Sequence, residues 1–280
     1  MSAEAGRFDA AAERGSAAAG AAADVPFRGG GFQPRRLRHV GWIGFAVLLA
    51  LWQAAIGLGL LNPVFLPSPW SVAVALAHLI ISGELAQNLS ASLWRLLGGW
   101  AFGTFVGIVI GGAMGLSSIA RSLGMPLISA LFPIPKIALL PLLILWFGIG
   151  EPSKIATIGL GVFFPTAIAT FSSMDAVPRN LIRMAQSFNL PVHDIITKVL
   201  LPGALPGLLA GMRISASIAL LLLVAAEMIG AQRGIGVLVL TAGNLMQTDR
   251  LMAGVAILSL LGLAIGAALS ACERRLLRWR

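Results

Sequence analysis

Cysteine occurs once in the 280 residues, at Cys272, so no intrachain disulfide can form and thiol redox chemistry or a thiolate metal cluster has nothing to build on. Histidine occurs three times, at His39, His78 and His193, with no metal-ligand spacing. Gly-Lys-Ser and Gly-Lys-Thr are both missing: Lys136, Lys154 and Lys198 follow Pro, Ser and Thr. The chain therefore carries no phosphate-binding loop of its own, and any nucleotide it depends on is hydrolysed elsewhere. A nucleophile elbow and a metal-binding helix are likewise absent. So is an internal repeat, which disfavours carriers built from repeated halves. Charge is scarce too. Only 11% of residues are Asp, Glu, Lys or Arg, against 58% hydrophobic, and so much apolar surface cannot hide in one soluble core. Lipid is the expected main solvent.

The charge that is present is lopsided, with 20 basic and 11 acidic residues and a formal net charge of +9. No nucleic-acid motif accompanies it, and the basic residues cluster beside apolar runs, so the excess reads as membrane topology. Residues 1–34 are rich in Ala, Gly and polar residues, lack a signal-peptide core, and are expected to form a disordered cytoplasmic tail. Residues 35–280 then form the membrane domain. Six spans are predicted, near 39–61, 90–116, 125–148, 154–174, 208–231 and 251–271. Arg35, Arg36, Arg38, Arg121, Arg179, Arg183, Lys198, Arg274, Arg275, Arg278 and Arg280 fall on one side, against Lys154, Arg233 and Arg250 on the other. The positive-inside rule places the first group, and both termini, in the cytoplasm. Trp42 is expected at the inner interface.

Within the spans, Gly99, Gly103, Gly107, Gly111 and Gly115 recur every fourth residue, a ridge that lets another helix approach closely. The third span opens with Pro133, Pro135 and Pro141, each removing a backbone donor. Carbonyls freed at membrane depth need protein or a watery cavity, so this span is expected to line something. Arg95, Lys136 and Glu227 are charges in or near apolar spans, and a charge at a helix centre costs roughly 2.5–3.5 kcal/mol on insertion scales. Arg95, near a span end, is expected to snorkel outward. Lys136 reads equally as a pathway cation or as a group that satisfies freed carbonyls. Glu227 reads as a structural brace or as a solute contact.

The longest amphipathic interruption is 178–206. Leu181, Met184, Ala185 and Phe188 share a helical face, Asn189 can take a left-handed cap, and Pro191 can restart a helix whose stripe is Val192, Ile195, Ile196 and Val199. The pattern suits two short helices lying among lipid headgroups or, equally, a knob that docks a partner. Ala185, Ser187 and Phe188, followed by Leu201-Pro202-Gly203-Ala204-Leu205-Pro206 and Gly211-Met212-Arg213, resemble the cytoplasmic coupling loop of binding-protein-dependent ABC importer permeases. Phe65-Leu66-Pro67-Ser68-Pro69, Pro133-Ile134-Pro135-Lys136, Trp146-Phe147-Gly148-Ile149-Gly150-Glu151 and Ala225-Ala226-Glu227 resemble the sulfonate, taurine and nitrate group of that family. The family's loop begins Glu-Ala-Ala with a later Gly, where this chain has Arg183, Met184, Ala185 and Asn189. The Glu-to-Arg change removes any charge pairing that the Glu would make.

The resemblance implies an all-α membrane protein with six transmembrane helices and a helical coupling loop at Arg183, Met184, Ala185, Ser187, Phe188 and Asn189. It implies a second copy of the chain, a dimer of ABC ATPase subunits that hold the ATP, and a periplasmic substrate-binding protein, with no cofactor bound by this chain. It makes the chain a transporter subunit and not an enzyme, passing a small anion such as an aliphatic sulfonate, taurine or nitrate. Lys136, Pro133, Pro135, Pro141 and Glu227 are then the pathway candidates. A stand-alone secondary carrier or channel would need ion-coupling groups, for which only Lys136 and Glu227 offer themselves, and a non-transporting scaffold would use the same knob for recruitment.

Overall fold

A computed structural model describes residues 38–278. The expected tail at 1–34 and the side chain of Trp42 lie outside the described residues. The chain falls into two units, Met1–Leu51 and Trp52–Arg280. Helix α1, Arg38–Gly57, begins in the first and ends in the second. All further elements belong to the second unit, and every regular element among the described residues is helical.

Four helical runs are long and apolar enough to cross a membrane: α3 (Glu84–Leu116), α6 (Glu151–Asp175), the run Val192–Met228 that contains α9 (Leu201–Met228), and α11 (Thr248–Leu276). A fifth is broken. Helix α4 (Ser118–Leu131) and the run Lys136–Phe147, a 3-10 turn leading into α5 (Leu140–Phe147), meet at 87°. The expected six therefore requires α1, whose 20 residues would rise about 30 Å as a helix. Pro133 sits in the break and Pro135 caps the 3-10 turn. Pro141 starts α5 instead of interrupting a helix, at a position where the missing N–H costs nothing.

Helix α6 is the centre, and two glycine rows hold it. Added Cβ atoms at Gly99 and Gly107 would lie 2.6 Å from Ile158 and 2.8 Å from Thr166, and one at Gly103 would enter the Gly159 backbone. The row continues through Gly111, against Ala167 and Thr170, to Gly115, against Met174, so α3 and α6 run parallel in backbone contact. On its other side α6 meets the antiparallel α9, where Gly203, Gly207 and Gly211 face Val177, Ser173 and Ala169. Lipid tails are as apolar as leucine, so such close van der Waals contact, and not water exclusion, holds the helices together.

Two stretches expected as loops hold short apolar helices, α2 (Pro69–Ile81) and α10 (Ile235–Asn244). Ser68 caps α2 by accepting from the Ser71 backbone N–H at 3.0 Å. Ala75 and Leu79 of α2, Ile235 and Leu238 of α10, and Ala253 and Ile257 of α11 form one buried cluster. At the opposite end of the bundle lie α7 (Arg179–Ser187), the single turn α8 (Val192–Ile195) and a π-turn Ile196–Leu200 that runs directly into α9. Leu201 to Pro206 are thus the opening turns of α9 and not loop.

Candidate functional site

The charged residues gather where α3 begins, α6 begins and α9 ends. Asn88, Ser92 and Arg95 continue the glycine face of α3 upward at steps of four and three, so they point at the same neighbours. Arg95 does not snorkel. It is 3% exposed, and its fork grips Glu151 with Nε to Oε2 at 2.6 Å and Nη2 to Oε1 at 2.7 Å. Its Nη1 donates to Glu227 Oε1 at 2.7 Å and to the Arg233 carbonyl at 2.6 Å. The snorkelling expectation failed because carboxylates on two other helices lie within reach, and a planar fork suits two partners at once.

Glu227 is 1% exposed. Besides Arg95 it accepts from Ser92 Oγ at 2.7 Å and from the Gly236 N–H at 2.8 Å. Ser92 Oγ in turn accepts from the Ile235 N–H, and Asn88 Oδ1 from the Gly234 N–H, both at 2.9 Å. Three consecutive amides at the start of α10, where helix donors lack intrahelical partners, are thereby satisfied by α3 and α9. Gly234 and Gly236 lie so close to the Glu227 side chain that a Cβ at either would strike it. The arrangement is a closed network in which Glu227 joins α9 to α3 and to the start of α10. Lys154 lies beside this network, 4% exposed, with Nζ donating to the Gly150 carbonyl at 2.9 Å.

Lys136 stands apart, next to the middle of α6: a Cβ at Gly161 would sit 3.8 Å from its Cγ. Its Nζ donates to the carbonyls of Leu131 at 3.0 Å, Phe132 at 2.5 Å and Ile134 at 2.7 Å. The Phe132 and Ile134 carbonyls are left over where α4 ends and the prolines begin, the Leu131 carbonyl also accepts from the Ile134 N–H at 3.3 Å, and three bonds use all three donors of an ammonium. The rings of Phe164 and Phe132 lie 4.5 Å and 5.5 Å from the same nitrogen.

At the other end, Asn189 takes φ 54°, and α7 closes with Asn189 N–H to Gln186 O at 2.9 Å and Leu190 N–H to Ala185 O at 3.3 Å. That pair of bonds is a Schellman cap, with Asn supplying the left-handed residue. The shared face expected for Leu181, Met184, Ala185 and Phe188 divides. Ala185 is buried in its own chain at 5% exposure, whereas Phe188 is 73% exposed and Met184 and Val192 are also exposed. Ile182 packs on Met174, Val177, Leu200 and Ala204, which seats α7 on the ends of α6 and α9. Arg183 and Ser187 are exposed, and Ser187 Oγ donates back to the Met184 carbonyl.

The Arg95 network and the Gly203, Gly207 and Gly211 row escaped sequence reading. Their signal was the polar continuation of the α3 glycine face and a second four-residue glycine period.

The fold and site define a multi-pass helical membrane protein whose buried Arg95 and Glu227 tie helices together at one end and whose turn after α7 exposes apolar side chains at the other. Residues 103–278 match the family described as binding-protein-dependent transport system inner membrane component. The chain belongs to that family, the permease subunits of ABC importers, which work with a partner ATPase that uses the ATP and with a binding protein. It is 38% identical over 252 residues to the putative aliphatic sulfonates transport permease protein SsuC of Bacillus subtilis (strain 168), covering 89% of this chain and 91% of the relative. It is 39% identical over 239 residues to the taurine transport system permease protein TauC of Escherichia coli (strain K12), covering 84% and 87%. Its fold is similar to a solved inward-facing conformation of the MetNI methionine ABC transporter, with TM-score 0.55 and 23% identity, over 68% of this chain and 96% of that one.

Proposed function

We propose that this permease passes a small organic or inorganic oxyanion, of the class of aliphatic sulfonates, taurine or nitrate, brought by a periplasmic binding protein. The observation that carries the reading is the end-to-end similarity to permeases named for aliphatic sulfonates and taurine. The end bearing Arg121, Arg179, Arg183, Lys198 and the basic carboxyl terminus is cytoplasmic, as are both termini, and the Arg95 end is periplasmic. The pairing of Arg250 with Glu84 supports this by leaving less free positive charge at the Arg95 end. Residues 35–280 are the permease domain and 1–34 a cytoplasmic tail.

The knob is the coupling loop. Met184, Phe188 and Val192 present apolar surface to a groove of the ATPase, while Ala185 and Asn189 shape the turn and Arg183 and Ser187 flank it. Two permeases pair, each holding one ATPase, and closure of the ATPases moves the loops and switches access across the membrane. The bend formed by Pro133, Pro135, Lys136 and Pro141 lines the pathway, and Glu227 holds the periplasmic end together. ATP-dependent uptake of ethanesulfonate by proteoliposomes holding the permease, the ATPase and the binding protein tests the reading. Uptake without the ATPase would instead indicate a stand-alone carrier, and ATPase binding without any uptake a scaffold.

A further inference from the structure

A cavity of about 470 Å³ opens between the first turn of α6 and the connection from α9 to α10, lined by Arg95, Gly150, Glu151, Lys154, Gln232 and Arg233. Its charges are unequal. On the lining Arg95, Lys154 and Arg233 stand against Glu151 alone, and Glu151, like Glu227 behind it, already pairs with Arg95. Among the described residues, Lys154 pairs with no carboxylate, and its ammonium donates only to the Gly150 carbonyl. Two of its three donors are left inside a nearly inaccessible side chain at the cavity wall. Arg233 spends its carbonyl on Arg95 while its exposed guanidinium has no partner among the described residues. A buried cation with free donors, beside a second free cation, is a place where an anion gains and a cation or neutral solute does not.

We propose that this cavity is a receiving subsite for the oxyanion group of the delivered solute, with Lys154 as the buried contact and Arg233 as the exposed one. The proposal rests on the anionic-cargo reading above. Arg95 and Glu151 are positioning residues here, holding the start of α6 so that Lys154 faces the cavity. A lipid headgroup phosphate has similar chemistry, and the test distinguishes the two.

The full importer in proteoliposomes, with ethanesulfonate as probe, supplies the measurement. Lys154→Gln is expected to raise the KM for uptake about tenfold, as loss of a charge-assisted hydrogen bond does, with the maximal rate near the parent's. Lys154→Arg should recover most of the affinity. Arg233→Gln should raise KM less and flatten its dependence on salt, since an exposed charge is the one that salt screens. If Lys154→Gln does not assemble, Arg233→Gln, on an exposed side chain, decides alone. An unchanged KM in the assembled variants, with a parent that transports ethanesulfonate, would overturn the subsite and leave the anionic-cargo reading intact. An unchanged KM combined with a stabilisation by anionic lipid that Lys154→Gln abolishes would assign the cavity to a headgroup. A parent complex that takes up neutral solutes but neither ethanesulfonate nor nitrate would overturn both readings.

Discussion

Arg95 and Glu227 lie 132 residues apart in sequence and 2.7 Å apart in space, joining the start of α3 to the end of α9. Removing one side of a buried pair leaves the other charge stranded, which costs about 3–5 kcal/mol. Arg95→Met is therefore expected to destabilise the purified permease strongly, as read by its thermal unfolding in lipid nanodiscs. Glu151→Gln should cost less, because the Glu151 side chain is half exposed and water can replace part of the loss. Equal destabilisation by the two variants would contradict the network as described.

The two faces of α3 make a second prediction. Gly103 lies in backbone contact with Gly159, whereas a Cβ at Gly112 meets nothing within 4 Å. Gly103→Leu should separate α3 from α6 and abolish the folded permease, and Gly112→Leu should be tolerated. Yield of monodisperse protein after gel filtration reads the difference.

This ridge was legible in the sequence because its period is local and its residue type is singular. The left-handed Asn189 was legible for the same reason, since few residues take that backbone. The Arg95 network was not: its partners come from positions 151, 227 and 233 to 236, and no local period announces which distant carboxylate a cation will meet. Helices α2 and α10 were read as loop because 13 and 10 residues are too short to register as spans, although Ala75, Leu79, Ile235 and Leu238 are all buried. Ala185 was placed on the partner's side of the knob because a helical stripe of four residues cannot say where one buried face ends and an exposed one begins.

The knob predicts its own partner contacts. Phe188→Ala and Met184→Ala remove exposed apolar surface and should weaken copurification of the ATPase without lowering the permease's stability. Ala185→Asp should do the reverse, because its side chain is buried in the permease itself. Asn189→Gly should be neutral and Asn189→Val damaging, since a β-branched residue resists φ 54°.

Topology is testable by labelling single cysteines in intact cells in a Cys272→Ser background. A cysteine at Ser68 should react with a membrane-impermeant maleimide added outside the inner membrane, and one at exposed Gln186 only after permeabilisation. The opposite pattern would invert the assignment of the two ends.

The final prediction concerns Lys136, where a structural and a transport role can be separated. Its ammonium closes the broken span by donating to three carbonyls, those of Leu131, Phe132 and Ile134. Lys136→Met keeps the stem against Gly161 but strands the Phe132 and Ile134 carbonyls near the middle of α6. Loss of such bonds should lower the thermal midpoint of the permease even with no solute or ATPase present. Lys136→Arg restores donors, yet its guanidinium is planar and larger than the ammonium, so partial recovery of stability is expected. If the cation serves only the bend, uptake per folded complex should be near normal in both variants. If it also passes the anion, uptake per folded complex should fall in Lys136→Met and recover partly in Lys136→Arg. The carbonyl cradle predicts the stability loss in either case, and a Lys136→Met permease as stable as the parent would refute the cradle.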